Sequence, residues 1–159
     1  MNYLIRDFDL LRDREAALSF IRGSQAYERE VEPNRRVDPE VADEYLPVLL
    51  KAVADKEGRI FVAEREGRVI GWAALVVEDH PLFVIEAERR FGYISELFVE
   101  ETARGGGAGQ ALMVACEEEA RGRGLGQVVI GVLAQNKRTT EIYARAGYGP
   151  YTSELRKYL

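Results

Sequence analysis

Residues 91–133 constrain the fold of this chain more tightly than any other stretch. "FGYISELFVE" (91–100) is apolar on both alternating faces, as a covered central strand is. "ARGGGAG" (103–109) interrupts it, and residues 107–121 then place Ala108, Ala111, Leu112, Ala115 and Cys116 on one helical face. "QVVIGVL" (127–133) reads as a second buried strand. Strand, glycine turn, helix and strand predict two locally parallel strands joined by a right-handed crossover.

A hairpin precedes this unit. "RIFVAERE" (59–66), Gly67-Arg68 and "VIGWAALVVE" (69–78) read as two antiparallel strands, so the sheet is mixed. Upstream, 2–8 reads as a short strand and 10–28 as a helix carrying Leu10, Ala17, Phe20, Ile21 and Tyr27. After a polar loop (30–40), Asp38-Pro39 looks like an N-cap and first-turn proline. The helix that follows lines up Val41, Tyr45, Val48, Leu49, Ala52 and Val53; Pro47 is expected to kink or split it, and Gly58 to end it. Residues 79–90 are a loop or edge segment. Residues 136–147 predict a short helix between an Asn136 cap and a Gly147 stop, and 148–159 one or two final strands. The predicted order is β-α-α-β-β-β-α-β-α-β. That is an α/β (α+β) chain with a central mixed sheet flanked by helices, expected to form a single domain over 1–159.

Composition narrows the function. With 47% hydrophobic and 31% charged residues the chain is globular in character. Its net charge of -5 argues against a broad nucleic-acid footprint, which needs a basic surface. The longest apolar run, 69–77, is too short for a membrane-spanning helix, and Arg6, Asp7 and Asp9 do not suit a signal peptide. A cytoplasmic protein without membrane partners is expected. One cysteine, Cys116, excludes an intrachain disulfide. His80 stands alone in "EDHPL", so no metal is expected.

Two near-identical glycine stretches invite comparison. "ARGGGAG" (103–109) opens a helix, where free amides and the helix dipole favour an anion. "ARGRGLG" (120–126) closes the same helix, where free carbonyls disfavour one, and reads as a stop signal. The first stretch is not a Rossmann fingerprint, because Gln110 stands where Gly or Ala is needed. It is not a P-loop either, because no Gly-Lys-Ser/Thr follows.

Arg104-x-x-Gly107-x-Gly109 after "ISELFVEETA" resembles the Gln/Arg-x-x-Gly-x-Gly/Ala motif of the GNAT superfamily of acetyl-CoA-dependent N-acetyltransferases. "RVIGWAAL" resembles the strand before that family's central strand. "NKRTTEIYARAGY" resembles its Asn-x-x-Ala-x-x-x-Tyr-x-x-x-Gly-Phe segment, with Thr139 for Ala and Tyr148 for Phe. The likeness covers about residues 59–150. It implies the acyl-CoA N-acyltransferase fold and acetyl-CoA as donor. It implies that Arg104, Gly105, Gly106, Gly107, Ala108, Gly109 and Gln110 hold the pyrophosphate, with Arg104 alternatively paired to Glu100 or Glu101. Main-chain groups of Leu97, Phe98 and Val99 would bind the pantetheine arm in a gap between 95–100 and 127–133. Asn136 would touch that arm or act only as a cap.

Acetyl transfer to an amine requires a base for the amine, a donor for the carbonyl oxygen and an acid for the thiolate. The resemblance makes Tyr143 the acid; by periodicity alone it is equally a core residue beside Thr139, Ile142 and Ala146. Glu96 is the candidate base, with Glu78 and Asp79 behind it. Strand alternation puts Glu96 on one face with Ile94 and Phe98, and a carboxylate there is either at a cleft or ion-paired. Trp72, Tyr3, Tyr27 and Tyr45 read as core, although Tyr27 falls where relatives place substrate loops. Glu28, Glu30, Glu32, Asp38, Glu40, Asp43 and Glu44 suit a cationic small-molecule or peptide amine, or simply form a solvated face. A homodimer accords with the resemblance. The rival functional reading is a non-catalytic acyl-CoA-binding module. A flavodoxin-like nucleotide binder needs an all-parallel sheet and conflicts with the 59–78 hairpin.

Overall fold

Five strands lie side by side in chain order: β1 (Leu4–Asp7), β2 (Arg59–Arg65), β3 (Arg68–Asp79), β4 (Arg90–Val99) and β5 (Val128–Ile130). The computed structural model describes residues 3–159, so Asn2, the first residue of the expected 2–8 strand, lies outside the described residues. The first three pairings are antiparallel and β4–β5 is parallel, giving the expected mixed sheet. Helices α1 (Leu10–Val31) and α2 (Val41–Asp55) cover one face; α4 (Ala108–Gly122) covers the other, and α5 (Lys137–Arg145) follows β5.

Strand alternation divides the core between the two layers. Ile60, Val62, Trp72 and Ala74 pack with Leu18, Phe20, Ile21, Leu46 and Leu49 of α1 and α2. Phe61, Ala63, Ala73 and Leu75 pack with Leu112, Met113, Cys116 and Ala120 of α4. Phe20 links Trp72 and Phe98 through tilted rings 6.1 and 5.6 Å away. At the start of α1 the Asp9 carboxylate accepts from the amides of Leu11 and Arg12. Buried Asp13 accepts two hydrogen bonds from Arg6 of β1, at 2.7 and 2.8 Å, so this charge is both paired and hydrogen-bonded.

Several local expectations are corrected. Helix α2 begins at Val41, not after an Asp38 cap: the Asp38 carboxylate is held by Arg36 at 2.7 and 2.9 Å, and Pro39 lies in the turn before the helix. The same helix runs unbroken through Pro47, because buried Ala42, Leu46 and Leu49 anchor it on both sides of the missing N–H. It ends with Glu57 at φ 49° and the Gly58 amide bonded to Val53 O. Residues 79–90 include a one-turn helix, α3 (Glu86–Arg89). Strand β5 has three residues, half-buried rather than buried. Residues 148–159 form no strand: their alternation has no partner edge, and Leu155 and Tyr158 are exposed.

Gly71 of β3 allows the closest strand contact near the site, since a Cβ there would lie 2.7 Å from Phe98 O. Gly71→Ala is expected to lower stability by about 1–3 kcal/mol through overpacking against backbone. Thermal melts check this, with Gly126→Ala, where a Cβ meets nothing within 4 Å, as the control.

Candidate active site

The site begins where β4 and β5 part. Their parallel pairing covers only Gly92–Ile94 and Val128–Ile130. Beyond Ile94, β4 continues to Val99 beside β3 alone, so one edge of its backbone is open. The stretch with Leu97, Phe98 and Val99 therefore has a β3 partner on one side and no ladder partner on the β5 side.

A bulge lies at the same place. Ala74 pairs with Glu96 and Leu75 with Ile94, leaving Ser95 as an extra residue. An extra residue reverses the alternation. Ile94 joins the α4 cluster, while Phe98 joins the α1/α2 cluster. The expectation that Ile94, Glu96 and Phe98 share a face is corrected accordingly. Glu96 turns towards α2, where it accepts a 2.6 Å hydrogen bond from Tyr45 Oη. It makes no ion pair among the described residues, so the ion-paired alternative is not what holds it. Burial pushes its carboxyl up to about 7; the Tyr45 hydrogen bond opposes this and the charge of Glu28 adds to it.

The glycine stretch follows. A single 3₁₀ turn (Glu101–Ala103) leads into Arg104, and Gly105 and Gly107 take φ 79° and 85°. Such values favour glycine. Gly107 caps α4, and the first helical amide bond runs from Ala111 to Gly107 O. The amides from Gly105 through Gly106, Gly107, Ala108 and Gly109 to Gln110 have no backbone acceptor among the described residues. A chain of free amides at a helix start is the arrangement that fits a phosphate. The second stretch behaves as read: Arg123, Gly124 and Leu125 donate to carbonyls of the last α4 turn, with Gly124 at φ 75°.

Arg104 is not paired with Glu100 or Glu101, which corrects that alternative. Its Nε donates to Val99 O at 3.0 Å, and its guanidinium lies over the Tyr27 and Phe98 rings, 5.4 and 5.7 Å from the centroids. Glu100 pairs instead with Arg68. Asn136 caps α5 by accepting from the Thr139 amide and also accepts from Tyr27 Oη, both at 3.2 Å. Tyr27 thus joins α1 to the glycine loop and to the α5 cap. Tyr143 packs against the α4 cluster and Tyr148, and burial pushes its phenol up to about 12, with the charge of Glu28 adding. Tyr143 and Glu96 thus belong to opposite layers and share Glu28 and Tyr93 as electrostatic neighbours.

Other residues fall away from the site. Glu78 is held by Lys56. Cys116 is fully buried and its thiol is pushed up to about 12, so it is no nucleophile. His80 stacks on Phe91 at 3.9 Å, and no metal-binding group occurs among the described residues. Most of the acidic stretch is occupied by arginines: Glu28 by Arg35, Glu32 by Arg156, Asp43 by Arg14 and Arg22, and Asp38 and Glu44 by Arg36. Sequence periodicity placed Tyr45 in the core. Only its phenol oxygen, a polar atom on a mostly apolar helix face, could have marked it as a partner for Glu96.

The model of the Acetyltransferase (GNAT) family matches residues 23–148. An "IAA acetyltransferase" of Azospirillum brasilense is 31% identical over 64% of this chain, and the match takes in 65% of that protein. A "GCN5-related N-acetyltransferase" from Ralstonia eutropha superposes with a TM-score of 0.75 at 28% identity, covering 99% of both chains. A Clostridium acetobutylicum protein described as a "predicted acetyltransferase with acetyl-CoA" shares the fold, with a TM-score of 0.74 at 22% identity over 99% of this chain and 96% of its own. No helix among the described residues is long and apolar enough to cross a membrane.

The Glu96 geometry has a consequence for stability. A carboxyl raised above its unfolded value holds a proton in the folded state between about pH 4.5 and 7. Its contribution is therefore most favourable at low pH and is lost as pH rises through about 7. Glu96→Gln is expected to stabilise the fold at pH 8 by about 1–2 kcal/mol and to change little at pH 4.5. Paired denaturation curves at the two pH values check this.

Proposed function

This chain belongs to the Acetyltransferase (GNAT) family, and from that premise we propose that it moves the acetyl group of acetyl-CoA to a primary amine by direct attack. One domain carries the whole site, and the acceptor is a small-molecule or peptide amine. The observations that carry this reading are the run of free amides at the start of α4 and the desolvated Glu96 carboxylate on the stretch of β4 that has parted from β5; the protonated Tyr143 phenol supports it.

Each residue has a task. The amides from Gly105 to Gln110, with the positive end of α4, hold the pyrophosphate. Arg104 and Asn136 line the same side, Arg104 steadied by the Tyr27 and Phe98 rings. The open edge of Leu97, Phe98 and Val99 offers main-chain groups to the pantetheine arm and a donor to the thioester oxygen. Glu96, with its carboxyl near 7, is partly ionised at neutral pH and takes a proton from the acceptor ammonium. The amine lone pair then forms the new C–N bond, the C–S bond breaks, and the nitrogen's second proton restores the Tyr143 phenol after that phenol has protonated the sulfur. Tyr143 stays protonated well above neutral pH and gives its proton to the departing sulfur. Buried Cys116 supports direct transfer without an acyl-enzyme. Glu96 has no cationic partner among the described residues, which supports a cationic acceptor; preferred turnover of a neutral or zwitterionic amine would sink that part.

A thiol-release assay with acetyl-CoA across amines, peptides and aminoglycosides tests the reading. Silence across the panel, with tight coenzyme binding, would replace the enzyme by an acyl-CoA-binding module. Tyr143→Phe is expected to lower kcat about 100-fold with coenzyme affinity unchanged. Full activity in that variant removes Tyr143 from the mechanism. Gly107→Ala strains a left-handed backbone position and is expected to weaken coenzyme binding about tenfold by calorimetry.

A further inference from the structure

We propose that Tyr45 is the positioning residue for Glu96: from α2 it holds Oε1 of the carboxylate, leaving Oε2 to meet the acceptor. The proposal rests on the reading of Glu96 as base.

Three features of the structure converge on this pair. The Ser95 bulge turns Glu96 out of the α4 layer and towards α2. The Tyr45 phenol is then 2.6 Å from Oε1, a short distance that fits a neutral donor to an ionised acceptor. Helix α2 is pinned to the sheet by fully buried Ala42, Leu46 and Leu49, so the phenol is delivered from a rigid element. Tyr45 has a second effect besides holding direction. The charged or titratable groups acting on Glu96 are Tyr45 from α2 and Glu28 from α1, and on its own strand Tyr93 feels the Glu96 charge. None is a cation, and Arg35 is already paired with Glu28 at 2.6 Å. Tyr45 is thus the one hydrogen-bond donor opposing desolvation of the carboxylate among the described residues. Burial and the nearby Glu96 charge hold the phenol itself far above neutrality, so it donates throughout the working range.

The proton balance has two parts. The acceptor ammonium loses its first proton to Oε2, its second leaves after the C–N bond forms by way of Tyr143, Oε1 keeps its hydrogen bond from Tyr45, and the Tyr45 phenol never gives up its own proton. A purely structural tether between α2 and β4 makes a different prediction: its loss changes stability and leaves the titration of Glu96 where it was.

The experiment is a carbon-13 carboxyl titration of Glu96 in the full-length chain, paired with the pH profile of kcat/KM. Tyr45→Phe is expected to raise the Glu96 midpoint by about half to one pH unit, since a lost hydrogen bond is about 1 kcal/mol and one unit is about 1.4 kcal/mol. The acidic limb of kcat/KM moves with it. Replacing Tyr45 with 3,5-difluorotyrosine keeps the shape, makes the phenol more acidic and is expected to lower the midpoint. That second variant carries the test if Tyr45→Phe folds poorly. In a Glu96→Gln background, Tyr45→Phe is expected to change kcat less than twofold. Midpoints that stay put in both variants, with Glu96→Gln inactive, overturn the positioning role and leave the base reading standing. A fully active Glu96→Gln enzyme overturns the base reading and the proposal with it.

Discussion

One residue in β4, Ser95, falls out of register with β3, and the side chains on either side of it point into different layers. Without that extra residue, Glu96 would share a face with Leu75-paired Ile94, packed under α4 and out of reach of Tyr45. The parallel ladder to β5 ends at Ile94, immediately before the same residue. A bulge bends its strand and interrupts pairing. Here the interruption opens a backbone edge along Leu97, Phe98 and Val99, and the re-aimed side chain is the carboxylate beside it. The open backbone edge and the turn of the Glu96 carboxylate thus lie at one irregularity.

The electrostatics around that opening are a contest between desolvation and one hydrogen bond. Glu96 lacks a cation, so burial dominates and its carboxyl rises to about 7; Tyr45 limits the rise. Elsewhere the chain pairs its charges: Asp13 with Arg6, Glu119 with Arg59 and Arg123, Glu28 with Arg35. An unpaired, partly buried carboxylate costs stability, and its persistence amid such thorough pairing supports a chemical role. Arg104 follows the same logic from the other sign. It has no acidic partner among the described residues and rests on two aromatic faces at the mouth of a loop of free amides.

The elements that carry strong local signals were legible. The 59–78 hairpin, the 107–121 helix, the Asn136 cap and the Gly147 stop fall where periodicity and turn chemistry put them, because each is decided by residues close in sequence. The contrast between the two glycine stretches was legible as well, since helix polarity alone separates amide-rich and carbonyl-rich ends. Asp38 misled because an acidic residue before a proline suits an N-cap and an arginine partner equally. Arg36 won it, two residues away. The 148–159 segment misled because alternation describes a strand without supplying an edge to pair with.

Sequence by itself determined the mixed sheet and the opposite ends of one helix that the two glycine stretches occupy. It did so because helix starts, strand periods and glycine conformations are local properties. The tertiary structure alone decided which face Glu96 occupies, that Tyr45 is its partner, and that Tyr27 joins Arg104 and Asn136 across 109 positions of chain. Those outcomes depend on register and on where two ladders part. A one-residue slip in pairing is invisible to periodicity until the neighbouring strand is in place.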